Sequence, residues 1–236
     1  MIKYRWLVVS LNKNVFADIL SGMMKKEFSP KSNSGFRLEY ARKDNLKARY
    51  IVKNIIQDKY EDPFGNIVVN DITTYDVFEF KLNLNSPNLI LKNSPRNIKP
   101  FLFALSEVSN FKVTIQPMML NLNNWIDSIE TLFGKVMVIK LQGSGLSLSD
   151  KTSAQVLISG TEDIRRYWGS IFPVTMPSMD KAKIRLSYDG YITDCELTKQ
   201  CSAILTNTQN NQDKILSLLT ESLAMCMKLK IQNSQT

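Results

Sequence analysis

Between residues 111 and 190 the apolar residues change their spacing from two to about 3.6 and back, twice over. No other feature limits the fold as much, because the two spacings belong to strands and helices respectively. "FKVTIQP" alternates Phe111, Val113 and Ile115 as a strand. "NLNNWIDSIETLFG" places Leu122, Trp125, Ile126, Ile129 and Leu132 or Phe133 on one helical face, with Asn123 or Asn124 as the cap and Gly134 as the stop. "KVMVIKL" and "SAQVLIS" read as two strands. "GTEDIRRYWGSIF" gives a second helix, capped by Thr161, with Glu162 and Asp163 at the positive end of its dipole. Its apolar face is Ile164, Tyr167, Trp168, Ile171 and Phe172, and the strand "AKIRLSY" follows. The order β-α-β-β-α-β predicts an α+β protein with a ferredoxin-like unit over about 111–190.

Inside that segment lies "LQGSGLSLSD" (141–150), the most motif-like stretch of the chain. A phosphate-binding Walker loop needs a second glycine followed by Lys-Ser/Thr, and a dinucleotide fingerprint needs a glycine where Leu148 stands. Neither is present, so the stretch reads as a loop between the second and third strands. An RNA-recognition sheet would need aromatics on its outer face. The outward positions of the first strand are Lys112, Thr114 and Gln116, although Lys183 and Arg185 leave room for backbone contact.

Charge points elsewhere. The chain carries +8, and residues 1–53 hold 12 Lys+Arg against 4 Asp+Glu, while the remainder holds 18 of each. An excess confined to one end suggests a polyanionic partner. "KNVFADILSGMMKKEF" predicts an amphipathic helix on Val15, Phe16, Ile19, Leu20, Met23 and Met24, ending in Lys25 and Lys26. "FRLEYAR" and "LKARYIVK" alternate around "KDN" and predict a hairpin, a helix from Asp44 being the alternative. Phe36, Leu38, Tyr40, Leu46, Tyr50 and Val52 would face the core. Arg37, Lys47, Arg49 and Lys53 would share the other face and grip phosphates, assisted by Lys25 and Lys26. The competing reading is an ordinary solvated face whose cations discourage aggregation.

The middle is less regular. "GNIVVNDITTYDVFEFKLNLN" (65–85) reads as a pair of strands, and the Pro- and Asn-rich segment 86–100 as a short strand and a boundary. A basic region 1–95 is therefore expected before a region 96–236, with a helix opening near Pro100. The triplet "EFK", with Asp71 or Asp62 upstream, resembles the PD-(D/E)xK nucleases. That resemblance implies Asp71, Glu79 and Lys81 around a catalytic Mg²⁺. Without it, no cofactor is expected.

"YITDCELTKQCSAILTNT" reads as one or two strands. The last helix, within 212–230, carries a stripe of Leu216, Leu219, Leu223 and Cys226, widened by Ile215, Leu218 and Met227. Such a stripe serves as core or as a surface for a protein partner or homo-oligomer. Three cysteines without CxxC spacing suggest reduced, partly buried thiols. The absence of histidine removes Ser-His-Asp, Cys-His and HExxH chemistry. No apolar run reaches the ~18 residues of a membrane span, and the start lacks a signal-peptide cleavage site. The expectation is a cytoplasmic, non-catalytic nucleic-acid-binding protein, DNA or RNA, within a larger assembly. A Mg²⁺-dependent nuclease and a scaffold subunit for an acidic protein are the rivals.

Overall fold

A computed structural model describes residues 1–85, 87–149, 152–171, 178–188, 190–206 and 211–233. The chain divides into two compact units: a host, Met1–Leu7 with Pro117–Thr236, and an inserted unit, Val8–Gln116. The strand β1 (Ile2–Val9) begins in the host, and the chain returns there at Pro117.

In the inserted unit the helix α1 (Lys13–Lys25) starts where Asn12 accepts a hydrogen bond from the Val15 N–H at 2.9 Å. This cap satisfies one of the helix's free donors. Four strands follow, β2 (Ser34–Ala41), β3 (Asn45–Glu61), β4 (Ile67–Asn83) and β5 (Leu89–Lys92), paired antiparallel in that order. Segment 65–85, expected as two strands, is thus essentially one. Asparagine and threonine dilute its apolar spacing without ending the ladder. The helix α2 (Lys99–Val108) opens with Pro100 in its first turn, as expected. Its buried Phe101 stands 5.7 Å from Phe78 and 4.9 Å from Phe80, ring centre to ring centre. The two helices meet at Gly22, where a Cβ would lie within 3 Å of Val108 backbone atoms. Only glycine admits so close an approach. Helices therefore cover one face of β2–β5.

In the host, β1 pairs with β11 (Ser202–Thr206), and β11 with β10 (Tyr191–Thr198). The order continues through β9 (Ser178–Tyr188) and β7 (Val136–Ser149) to β8 (Thr152–Ser159), every pair antiparallel. The helix α3 (Leu122–Phe133) is capped by Asn121, earlier than expected, and α5 (Gln212–Asn233) packs along it. Trp6 meets Trp125 edge to face with ring centres 5.8 Å apart. Thr220 accepts the Trp6 indole N–H and Ser222 the Trp125 indole N–H, both at 3.0 Å. A buried donor left alone costs about 1–3 kcal/mol, so two hydroxyls of α5 fix its position and rotation. Its stripe of Ile215, Leu216, Leu219, Leu223 and Cys226 is buried in this unit. Cys195 and Cys201 are also buried, and burial pushes the Cys195 thiol upward.

The ferredoxin-like unit is not formed. The expected elements occur in order, but the first strand shrinks to β6 (Ile115–Pro117), which pairs with β1. The place expected for it beside its neighbours is taken by β7, which runs between β8 and β9 in a larger antiparallel sheet continuing to β10 and β11. Apolar period identifies an element; it carries no information about which element pairs with which. The second helix also differs. It is α4 (Arg165–Ile171), and Asp163, not Thr161, accepts the Arg165 N–H at 3.0 Å. Phe172 lies outside the described residues.

The glycine stretch is not a loop. Residues 141–149 belong to β7, with irregular register from Gln142 to Leu146 and Gly145 at φ +81°, and Asp150 lies outside the described residues. Gly143 makes room for Trp168 of α4: a Cβ there would lie 2.7 Å from the indole ring and 2.9 Å from the Ser178 carbonyl. Gly143→Ala therefore overfills a packed site. We expect it to lower stability by about 1–3 kcal/mol in denaturant unfolding, and a Trp168→Leu background should reduce that effect.

Candidate nucleic-acid interface

The outer face of β2–β5, opposite α1 and α2, collects most of the cations singled out in the sequence. Register dictates how. Leu46, Ala48 and Tyr50 turn inward and are buried, so Lys47, Arg49, Ile51 and Lys53 point outward. Arg37 is directly opposite Arg49, Arg49 opposite Glu79, and Glu79 opposite Lys92. That row crosses all four strands. The next row places Tyr40 opposite Lys47 and Lys47 opposite Lys81. Lys53 stands further along β3, opposite Tyr75.

Among the described residues this part of the face bears six cations (Arg37, Lys47, Arg49, Lys53, Lys81 and Lys92) and two carboxylates, a net of +4. The carboxylates are placed where repulsion would be worst. Glu39 reaches Lys47 at 2.6 Å and Arg49 at 2.8 Å. Glu79 stands 3.8 Å from both Arg49 and Lys92. The hydrogen bond from Lys47 holds the Glu39 carboxyl below its usual range, and Glu39 in turn raises the Lys47 ammonium.

The expected inward set is changed by a bulge. Register shifts between Leu38 and Tyr40, turning Glu39 and Tyr40 to the outer face, so Tyr40 is exposed beside Arg42 rather than buried. No periodic reading locates a bulge, because the extra residue inverts the alternation beyond it. Lys25 and Lys26 lie elsewhere. They end α1 in the helical layer, where Lys26 pairs with Glu107 and a cleft of about 220 Å³ is lined by Asp18, Lys25, Lys26 and Glu107. In the host, Lys183 and Arg185 both pair with Asp194, at 3.0 and 2.9 Å.

The carboxylates of the nuclease reading are dispersed. Glu79 and Lys81 share a side of β4, but Asp71 is eight residues from Glu79 along that extended strand, roughly 26 Å at ~3.3 Å per residue. One metal ion cannot bridge such a gap. Asp62 is occupied in a turn, accepting the Phe64 and Asn66 N–H groups at 2.9 Å. Among the described residues no group of three or more His, Cys, Asp or Glu is placed to hold a metal, and no helix is long and apolar enough to cross a membrane.

Sequence reasoning missed the far half of the same ladder. β3 and β4 stay paired without interruption from Asn45↔Asn83 to Glu61↔Ile67. β2 accompanies β3 only to Val52, and β5 accompanies β4 only from Glu79. Beyond them the two strands form an arm closed by the Asp62–Asn66 turn, with Gly65 at φ +84°. Its apolar side chains stand in solvent: Phe64 is 89% exposed, Ile67 73% and Ile55 62%. Two β-rich runs flanking "DPFGN" were the available signal.

No family model matches the chain, and no curated protein sequence matches it either. We expect a double-mutant cycle of Glu39→Gln and Lys47→Met to give a coupling of about 0.2–1 kcal/mol at pH 7, as for a partly exposed pair. Because the Glu39 value is lowered in the folded state, this coupling is complete above its ordinary value of 4.5 and disappears as pH falls through the lowered one. The raised Lys47 value sets the alkaline limit: coupling is complete below 10.5 and fades as pH rises through the raised value. Urea melts of the four proteins at pH 7, in acid and in alkali read these effects.

Proposed function

We propose that the outer face of β2–β5 binds the phosphate backbone of nucleic acid, DNA or RNA, and that the protein acts in the cytoplasm as a non-catalytic subunit of a larger assembly. The observation that carries this reading is the cluster of Arg37, Lys47, Arg49, Lys53, Lys81 and Lys92 on one sheet face at a net +4. Neighbouring strands are about 4.8 Å apart, and outward residues of one strand about 6.6 Å apart. Flexible side chains on such a grid suit successive phosphates whatever the bases. Glu39 and Glu79 hold the cations in place before binding and compete with phosphate during it. Release of condensed counterions then supplies the driving force.

The test is binding of labelled single- and double-stranded DNA and RNA across a salt series. Replacing Arg37, Lys47, Arg49 and Lys53 by alanine should weaken binding. It should also flatten the log affinity against log salt line by about 0.7–0.9 for each phosphate that is no longer neutralised. Lys25→Ala/Lys26→Ala should leave that slope unchanged. Glu39→Gln should tighten binding, since it removes the anion nearest Lys47 and Arg49. Affinity equal to wild type in the folded quadruple variant would remove this face from the assignment. Mg²⁺-dependent shortening of the probe, abolished by Glu79→Ala, would favour the nuclease instead.

A further inference from the structure

The arm reverses the charge of the sheet that bears it. Residues 54–74, the arm, contain one lysine, Lys59, against Asp58, Glu61, Asp62 and Asp71, a net of −3. The adjoining outer face carries +4. Among the described residues, the eight residue pairs from Asn54↔Thr74 to Glu61↔Ile67 have no third strand beside them, and they extend roughly 26 Å. A lone two-stranded ribbon is marginal in water. This one nonetheless exposes Ile55, Ile56, Tyr60, Ile67, Val69 and Ile72. Its acidity argues against nucleic acid as the covering surface, since phosphates would be repelled. A basic surface with some apolar area suits it, and this chain has one: Tyr40 and Val77 are exposed among the cations of the outer face.

We propose that two copies of this chain associate by exchanging arms, each laying its acidic β3–β4 arm across the basic outer face of β2–β5 in the other. A two-fold exchange satisfies both arms and both faces and closes the assembly, whereas a one-sided contact would leave one arm and one face uncovered. The proposal does not rest on nucleic-acid binding. It places the arm and a polyanion in competition for one face.

The decisive experiment is sedimentation velocity on the full chain freed of nucleic acid, at about 50 and about 500 mM salt, salt being the lever because exposed charges are screened. We expect twice the mass of the 27.0 kDa chain at low salt and a shift toward one copy at high salt. An arm variant (Asp58→Lys, Glu61→Lys, Asp71→Lys) and a face variant (Arg37→Glu, Lys53→Glu, Lys92→Glu) should each remain single. Their equimolar mixture should recover the double mass, because both arm–face combinations are then complementary, a result that misfolding of either variant does not produce. Circular dichroism confirms that each is folded. A single-copy wild type at low salt, a dimer indifferent to salt, or a mixture that stays single would each overturn the proposal. None of these outcomes depends on whether nucleic acid binds.

Discussion

The unbroken β3–β4 ladder governs the inserted unit. Seventeen consecutive residue pairs without a bulge keep one alternation of side chains from Asn45 to Glu61 and from Ile67 to Asn83. A slip of one residue in β3 would send Leu46, Ala48 and Tyr50 outward and bury Lys47 and Arg49, an exchange no core tolerates. Burial of Phe78 and Phe80 against Phe101 of α2, with Leu82 buried on the same side, imposes the same register from the other strand. The positions of the β3 and β4 cations on the outer face follow from this packing. So does the direction of the arm, which prolongs the strands that the core has already aligned.

The same ladder separates charge along its length. Near the core it carries Lys47, Arg49, Lys53 and Lys81; beyond the reach of β2 and β5 it carries Asp58, Glu61 and Asp71. The chain beyond residue 53 balances to zero, and that balance conceals the separation: acids concentrated in the arm cancel bases dispersed elsewhere. At the basic end, like charges would face one another at Arg37 and Arg49, a destabilising arrangement in a sheet. The bulge at Glu39 relieves it by turning a carboxylate onto the face between Lys47 and Arg49. A backbone irregularity thus solves an electrostatic problem created by regular alternation.

Local chemistry was legible wherever the cause lies within a few residues. The α1 period, Pro100 in the first turn of α2 and Gly134 after α3 follow from capping and periodicity alone. The outward set Arg37, Lys47, Arg49 and Lys53 was legible too, because burial of Phe36, Leu46 and Tyr50 leaves them only one side. What failed depends on distant partners. Gly143 looked like loop chemistry, yet its cause is Trp168, whose ring occupies the space of a side chain. The central place of β7 is decided by β8 and β9 together. Tyr40 was misplaced by a bulge whose benefit lies on the neighbouring strand. Asp71 seemed close to Glu79 in sequence, and an extended strand converts eight residues into a separation that no metal site spans.

An exposed two-stranded arm poses a problem of restraint as well as of recognition. Its unpaired edges and apolar side chains invite sheet extension by any similar strand. Two arms meeting edge to edge would bring Asp58, Glu61 and Asp71 of one against those of the other, so the charges that mark the arm also oppose its stacking. A basic face reverses that sign. There Glu61 and Asp71, which share a side of the ribbon with Ile55, Ile67 and Val69, would meet cations while those side chains met apolar area. Repulsion from the wrong surface and attraction to the right one then arise from a single set of residues. Charge separation within one hairpin suffices for both, provided the ladder that carries it stays in register.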